Sequence, residues 1–180
     1  KLAVEHLIAL GHRRIVHITG PMRLTMSAGR HEGYIDVLRE AGLDIDPALT
    51  RVGDFHFGSG QQAIEALLAE GVDFTAVFCS NDEMAVGAIN ALRGHGLKVP
   101  ADVSVAGFDD MDYALSSDPP LTTLRQPRRE IGRQAMQMLV HLLSGEPLTE
   151  PRVTAGVDLI VRGSTARAPQ TSRKKGRTNS

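Results

Sequence analysis

The stretch AVFCSNDEMAVGAINAL, residues 76–92, decides the fold class of this 180-residue chain. Its first four residues, AVFC, form a short apolar run of the kind found in a strand that is buried on both faces. Ser80 and Glu83 follow with the Ser-x-x-Glu spacing of a capping box, which predicts a helix from this point to Leu92. A buried strand that leads directly into a helix is the first half of a βαβ unit.

The same alternation continues on both sides of this stretch. Helical apolar spacing and stop glycines predict three helices before it, and short apolar runs predict two strands before it and one after it. Strands separated by helices of about 10–15 residues predict a parallel sheet with right-handed crossovers, and hence an α/β three-layer sandwich. The predicted helices are 2–10, 30–41 and 59–70, with Ser59 as the cap of the third, and the predicted strands are 14–19, 50–53 and 103–107.

The pattern changes after residue 110. Pro119 and Pro120 interrupt the alternation, and a short extended segment, a long helix and a final strand follow them. This order predicts that the chain leaves the sheet domain and then returns to it. The predicted segments are 121–125 for the extended run, 127–144 for the helix and 156–162 for the strand.

The composition is that of an ordinary globular protein, with 42% hydrophobic residues, 23% charged residues and a net charge of −1. The charge is unevenly distributed, because residues 166–180 contain five basic and no acidic side chains, which leaves −6 on residues 1–165. An acidic body repels the phosphate backbone of DNA. The basic end predicts a disordered, solvated tail, with contact to nucleic acid or acidic lipid as the alternative.

Several protein classes are excluded or disfavoured by simple counts. The single cysteine, Cys79, excludes an internal disulfide and favours a cytoplasmic location. No apolar run approaches the roughly 18 residues of a membrane span, so no membrane partner is expected. The chain opens at Lys1, within a helical pattern, and we therefore expect it to be a piece of a longer protein.

The sequence contains no recognisable catalytic motif. Gly58-Ser59-Gly60 lacks the spacing of a nucleophile elbow, and the chain has no phosphate-binding loop with the Gly-x-x-x-x-Gly-Lys pattern. The seven histidines lack the spacing of a metal site, and Cys79 ends an apolar strand, which favours an inert buried thiol. The sequence therefore predicts a protein that is not an enzyme and that uses neither a metal nor a cofactor.

Side chains suited to binding a small ligand follow the predicted strands. Ligands of an open parallel sheet bind beyond the carboxyl ends of its strands. A guanidinium, an amide and a carboxylate at this edge would pair with the hydroxyl groups of a small polyhydroxylated ligand, and an aromatic ring would cover a sugar face or stack on a planar base. The candidate ligand-binding residues are Arg30, Phe55, Asn81, Asp109 and Gln126.

Most of these residues also have a purely structural interpretation. Asn81 and Asp109, like their neighbour Asp82, have the position of helix caps or turn residues. Arg30 on its own fits a solvated or salt-bridged helix residue, and Phe55 on its own fits packing at the edge of the core. Only a shared position at one edge of the sheet favours a common role in binding.

Six blocks of the sequence, taken in order, resemble the effector-binding core of the LacI/GalR family, the lactose- and galactose-repressor-type transcription regulators of bacteria. The resemblance extends from about residue 1 to residue 165, and the ordered set is more specific than any single block. The blocks are HLIALGHRRIVHITGP (6–21), RHEGYIDVL (30–38), AVFCSNDEMAVGAINAL (76–92), VPADVSVAGFDD (99–110), PPLTTLRQP (119–127) and LIVRGST (159–165).

The resemblance implies a two-lobed core like that of periplasmic sugar-binding proteins, with one lobe present here. It places residues 1–124 in the second lobe, 125–153 in a return segment with a helix of the first lobe, 154–165 in a closing strand of the second lobe and 166–180 in the tail. The family pattern implies effector contacts at the same five residues, Arg30, Phe55, Asn81, Asp109 and Gln126.

The implied function is effector-controlled regulation of transcription, most often repression. Operator DNA would be bound by an N-terminal helix-turn-helix module that is not in this chain. Leu24 and Met26 stand where purine-responsive relatives have polar groups, which favours a sugar effector. The alternative function is that of a periplasmic sugar-binding protein in a transport system, which would carry an export signal upstream.

A homodimer is also implied by the resemblance. Candidates for its interface are Met84, Ala85 and Ala88 on the predicted helix after Asn81, and the segment 111–115. The alternative is that these residues only pack against their own sheet.

Overall fold

The computed structural model describes residues 1–145 and 154–170. Four parallel strands form the central sheet in the order β2-β1-β3-β4. The chain moves from β1 outward to β2 and then crosses to β3 on the other side of β1, so the topological switch point lies between β1 and β3. The strands are β1 (Ile15–Thr19), β2 (Thr50–Val52), β3 (Ala76–Cys79) and β4 (Ser104–Ala106).

Helices cover both faces of this sheet, which confirms the predicted α/β sandwich. Alternate residues of β1 point to opposite faces: Val16 and Ile18 pack with α3 and α4, and Ile15 packs with α1 and α2. The helices are α1 (Leu2–Ala9), α2 (Thr25–Glu40), α3 (Phe57–Ala69), α4 (Asp82–Gly94), α5 (Asp112–Ser116) and α6 (Arg128–Leu143). None of the helices in the described residues is long and apolar enough to cross a membrane.

A second, two-stranded sheet follows the main one. β5 (Thr123–Arg125) and β6 (Asp158–Ile160) pair antiparallel, and α6 lies between them in the chain. Isolated bridges from Ala106 to Thr122 and from Asp109 to Arg125 connect β4 and its following loop to the β5 segment. The extended run, the long helix and the final strand thus occur in the predicted order.

Four helix starts differ from the prediction, and that of α6 differs by one residue, because Pro127 is its N-cap and not its first residue. α2 begins at Thr25, five residues before the predicted start at Arg30. α3 begins at Phe57, so Ser59 lies inside the helix, where its hydroxyl donates to the carbonyl of His56. The N-cap of α4 is Asn81, because its side chain accepts the N–H of Met84.

The predicted capping box at Ser80 is therefore wrong. The carboxylate of Glu83 accepts the N–H of Phe57 from the start of α3 and does not reach back to its own helix. The prediction failed because Ser80 and Asn81 are both favourable N-cap residues. The sequence alone does not show which of the two directly precedes the first residue of the helix.

The disordered tail was predicted to begin at residue 166, which is too early in the chain. Ala166 donates its N–H to Ser104 Oγ at 3.0 Å, and Ala168 donates to the carbonyl of Leu10 at 2.9 Å. His12, which is fully buried, also holds this segment through its Nε2, 3.0 Å from the Ala166 carbonyl. Residues 166–168 are thus bonded to the sheet domain, and residues 171–180 of the predicted tail lie outside the described residues, as do residues 146–153 of the predicted return segment.

Part of the predicted dimer face is buried in the core. Met84, Ala85 and Ala88 have no exposed surface and pack between α4 and the sheet, so their structural interpretation is the correct one. In the segment 111–115, by contrast, Tyr113 and Leu115 are exposed.

Candidate functional site

The predicted ligand-binding residues gather at the switch point between β1 and β3. Arg30, on α2 after β1, donates from Nη1 to the carbonyl of Ser80, the residue that follows β3, at 2.6 Å. This hydrogen bond holds the guanidinium across the carboxyl ends of the two central strands. The guanidinium is largely buried, and burial lowers its pKa from the ordinary value.

Asp109 faces the same guanidinium from the loop after β4. Its Oδ1 lies 3.9 Å from Arg30 Nη2, and it accepts a hydrogen bond from Gln126 Nε2 at 2.5 Å. Burial raises the pKa of Asp109, although the charge of Arg30 and the hydrogen bond from Gln126 act in the opposite direction. Three of the five predicted residues therefore form one connected polar set, with Phe108 stacked 3.8 Å from the Arg30 guanidinium carbon.

The loop that carries Asp109 is fixed by its neighbour. The Asp110 carboxylate pairs with Arg162 at 2.5 Å and with Arg125 at 2.6 Å. Burial alone would raise the pKa of Asp110, but the hydrogen bonds from the two arginines outweigh it and lower the pKa. Arg125 ends β5 and Arg162 follows β6, so Asp110 ties the loop to both strands of the second sheet.

Asn81 has a structural role that its position in the sequence left open. Its Oδ1 caps α4, and its Nδ2 donates to the carbonyl of Phe55 at 2.7 Å. One N–H of the amide remains for a ligand, and 9% of the residue is exposed. Asn81 therefore connects the start of α4 to the loop that carries the aromatic residue.

Phe55 lies at the edge of the site with a half-buried ring. Its φ of 74° is unusual for a bulky residue, and the hydrogen bond from Asn81 to its carbonyl holds this conformation. The ring packs on Gly20, where a methyl group would come within 2.1 Å of Phe55 Cζ. Gly20 is thus needed for the close approach of the ring.

A buried histidine under the site was missed by the sequence analysis. His17 Nε2 lies 3.0 Å from Ser80 Oγ, and its Nδ1 lies 3.2 Å from Nδ1 of His31. Burial lowers the pKa of His17 to about 3, with His31 and Arg30 as smaller causes. The sequence contains one sign of this contact, because His17 interrupts the apolar strand RIVHIT. A histidine at such a position indicates a buried polar contact behind the ligand-binding edge.

The other chemically active groups near the site have structural partners. The Asp82 carboxylate accepts from Thr123 Oγ at 2.5 Å and from the Met111 N–H at 2.8 Å, so it ties α4 to β5 and is not the helix cap. Burial raises its pKa to about 6. Burial also raises the pKa of the Cys79 thiol, which has no exposed surface. In residues 1–145 and 154–170, no cluster of three or more His, Cys, Asp or Glu has the arrangement of a metal site.

Comparison with known proteins gives consistent matches along the chain. The model of the periplasmic binding protein-like domain family matches residues 4–165. The HTH-type transcriptional repressor CytR of Escherichia coli strain K12 is 42% identical over 167 residues, which cover 93% of this chain and 49% of the repressor. The ribose operon repressor of the same strain is 41% identical over 163 residues, which cover 91% and 49%.

Solved structures show the same similarity. A sugar-binding LacI-family transcriptional regulator from Escherichia coli, complexed with phosphate, superposes with a TM-score of 0.85 at 36% identity, covering 92% of this chain and 59% of the other. The complex of the transcriptional regulator CelR with cellobiose gives a TM-score of 0.86 at 38% identity, covering 89% and 49%. This chain spans about half the length of the curated relatives that it matches.

Proposed function

Because this chain belongs to the periplasmic binding protein-like family and, within it, to the effector-binding cores of LacI/GalR-type regulators, we propose that it forms one wall of the effector site of a transcriptional repressor. The observation that carries the proposal is the polar set of Arg30, Asp109 and Gln126 at the topological switch point. A ligand controls such a regulator only through different affinities for its two conformations. The contacts of this polar set are where we expect that difference to arise.

The proposed effector is a sugar or a sugar derivative. The guanidinium of Arg30 and the carboxylate of Asp109 are 3.9 Å apart, and together they offer donors and an acceptor to neighbouring hydroxyl groups. Phe55 would cover the apolar face of the sugar ring, and the free amide N–H of Asn81 would add a donor. Leu24 and Met26 are exposed, and they stand where purine-responsive relatives have polar groups, which favours a sugar.

The relatives favour regulation over transport. The similar proteins are repressors and regulators of transcription, one of them a ribose operon repressor and another solved with cellobiose. A sugar-binding protein of a transport system would share the fold, but the matches do not favour it. The names of these relatives describe regulation of transcription and no catalysis, which supports a binding function for the polar set.

The division of the chain follows from the same proposal. Residues 1–124 and 154–165 would form one lobe, and residues 125–153 would carry a helix to the other lobe. α6 supports this division, because none of its described residues is buried. Its exposed apolar side chains would pack on the lobe supplied by the rest of the protein: Ile131, Met136, Leu139, Val140, Leu142 and Leu143.

The proposed partners are operator DNA and a second copy of the protein. The operator would be bound by an N-terminal helix-turn-helix module, since the similar CytR is an HTH-type transcriptional repressor, and a cytoplasmic location would follow from that role. The exposed Tyr113 and Leu115 on α5 are the remaining candidates for a homodimer face.

Calorimetric titration tests the effector site. The protein, extended to the length of its relatives, is titrated with pentoses, hexoses, disaccharides and nucleosides, and the best ligand is repeated with Asp109→Ala. Loss of a hydrogen bond to a charged group costs about 1.5–3 kcal/mol, so Kd should rise about 10- to 150-fold. Asp118→Ala is the control, because that carboxylate is 83% exposed and pairs with Arg93, which is not a member of the polar set. Equal affinity of Asp109→Ala, or no sugar binding at all, would contradict the proposal.

A further inference from the structure

We propose that Ser27 is a further effector-binding residue, whose hydroxyl is covered by the ring of Phe55 until a ligand takes the place of the ring. The inference rests on the proposed function and adds to it a polar contact from α2. It also gives Phe55 a second role, in which its ring occupies the ligand's place before the ligand binds.

The first observation is an unpaired hydroxyl. Ser27 has no exposed surface, and within residues 1–145 and 154–170 its Oγ is the one buried side-chain polar atom without a hydrogen-bond partner. Folded proteins pair nearly all such groups, and an exception needs an explanation. A ligand that supplies the missing partner is such an explanation.

The second observation is the position of this hydroxyl. Ser27 lies on α2 three residues before Arg30, so both side chains are on the same side of the helix. A methyl group built on Gly20 would come within 2.6 Å of Ser27 Oγ and within 2.1 Å of Phe55 Cζ. The hydroxyl and the edge of the ring therefore share one small space at the end of β1.

The third observation is that the hydrogen bond to Phe55 fixes its backbone and does not involve its ring. The Asn81 amide fixes the Phe55 carbonyl at 2.7 Å, while the ring itself remains half-buried. Rotation about the side-chain bonds would move the ring without moving the loop. A hydroxyl or ring oxygen of the ligand would then pair with Ser27, and the displaced ring would cover the apolar face of the ligand.

Thiol labelling tests whether the ring uncovers this position. Ser27→Cys introduces a thiol that is treated with iodoacetamide and located by mass spectrometry, with the fully buried Cys79 as the internal reference for unfolding. We expect the introduced thiol to react at least tenfold faster than Cys79, and at least tenfold faster again when Phe55→Ala is added. Labelling at the rate of Cys79 in both backgrounds would overturn the proposal.

Ligand binding tests the assignment of Ser27 itself. D-ribose, cellobiose and the remaining sugars of the titration panel are the probes, and a bound sugar should slow labelling of the introduced thiol and bind Ser27→Ala about tenfold more weakly. A sugar that binds but neither protects the thiol nor distinguishes Ser27→Ala would overturn this inference and leave the proposed function intact. If no sugar binds the extended protein, the proposed function and the assignment of Ser27 both fail.

Discussion

At the residue scale, His17 makes the stability of the protein depend on pH. Its pKa is about 3 in the folded chain, against an ordinary value of 6.5. Between these values the unfolded chain binds a proton that the folded chain does not, so the free energy of unfolding falls as the pH decreases through this window. The contribution of this residue approaches about 1.4 kcal/mol per pH unit.

Urea unfolding at pH 7, 6, 5 and 4 measures this contribution. We expect the loss of stability toward low pH to be smaller in His17→Gln than in the original chain. His56→Gln is the control for removing a histidine at the surface, because the His56 side chain is 76% exposed. The raised pKa of Asp82 increases the free energy of unfolding as the pH decreases. Because Asp82 is present in all three proteins, its contribution cancels when their pH dependences are compared. Equal slopes for His17→Gln and the original chain would contradict the assignment.

Asn81 shows why single residues of the site were hard to predict. The sequence left the cap and the ligand contact as alternatives, and the structure uses the side chain as a cap and as a support for Phe55. An amide has several hydrogen-bonding atoms, and which of them remain free depends on residues that are distant in the sequence.

At the scale of elements, the contact between α3 and α4 depends on glycine. A methyl group on Gly87 would come within 2.1 Å of the Phe57 carbonyl oxygen, which is backbone and not free to rotate away. Gly87→Ala should therefore force the helices apart and lower the free energy of unfolding by about 1–3 kcal/mol.

Gly94→Ala in the same helix is the matched control for Gly87→Ala. No atom lies within 4 Å of a methyl group at Gly94, so this change should leave stability unchanged or raise it by up to about 1 kcal/mol. Chemical denaturation measures the free energy of unfolding of both variants. Equal changes in the two variants would show that the close contact between α3 and α4 is not the reason for glycine at position 87.

Asp110 holds the second sheet to the loop of the site. The side chains of Asp110 and Arg162 are 10% and 13% exposed, so the substitution Asp110→Asn leaves a nearly buried guanidinium without its counter-charge. We expect a loss of about 3 kcal/mol in the free energy of unfolding. The exposed pair of Arg93 and Asp118 is the control, and Asp118→Asn should cost less than about 1 kcal/mol. Similar losses in the two variants would argue against Asp110 as a structural tie.

The two central strands of the main sheet were predictable because each is a short apolar run that ends at polar or turn residues. AVFC is a strand with the predicted bounds, and β1 lies within the predicted 14–19. Helix starts were less predictable, since Thr25 to Gly29 contains no apolar face that separates helix from loop. The ties made by Asp82, Asp110 and His12 were not predictable at all, because their partners lie up to about 150 residues away in the chain.

At the scale of the whole molecule, two features of the described residues support the proposal that they form one wall of an effector site. Arg30, Asp109 and Gln126 meet at the carboxyl edge of the sheet, and the apolar surface of α6 is left uncovered. The resemblance to LacI/GalR regulators, carried by six sequence blocks, was confirmed by the match to the periplasmic binding protein-like family over residues 4–165 together with the similarity to LacI-family regulators. The roles of the five predicted residues in effector binding remain predictions, since they depend on a ligand.

Nuclear magnetic resonance of the ¹⁵N-labelled chain tests the central claim most directly, because it detects even the weak binding expected of a single wall. The chain is titrated with D-ribose, cellobiose and the other sugars of the panel, and the shifted signals are mapped. We expect at least one sugar to shift the side-chain N–H signals of Arg30 and Gln126 and the backbone N–H signal of Asp109. A sugar whose shifts lie elsewhere on the surface, with these three signals unmoved, would contradict this expectation.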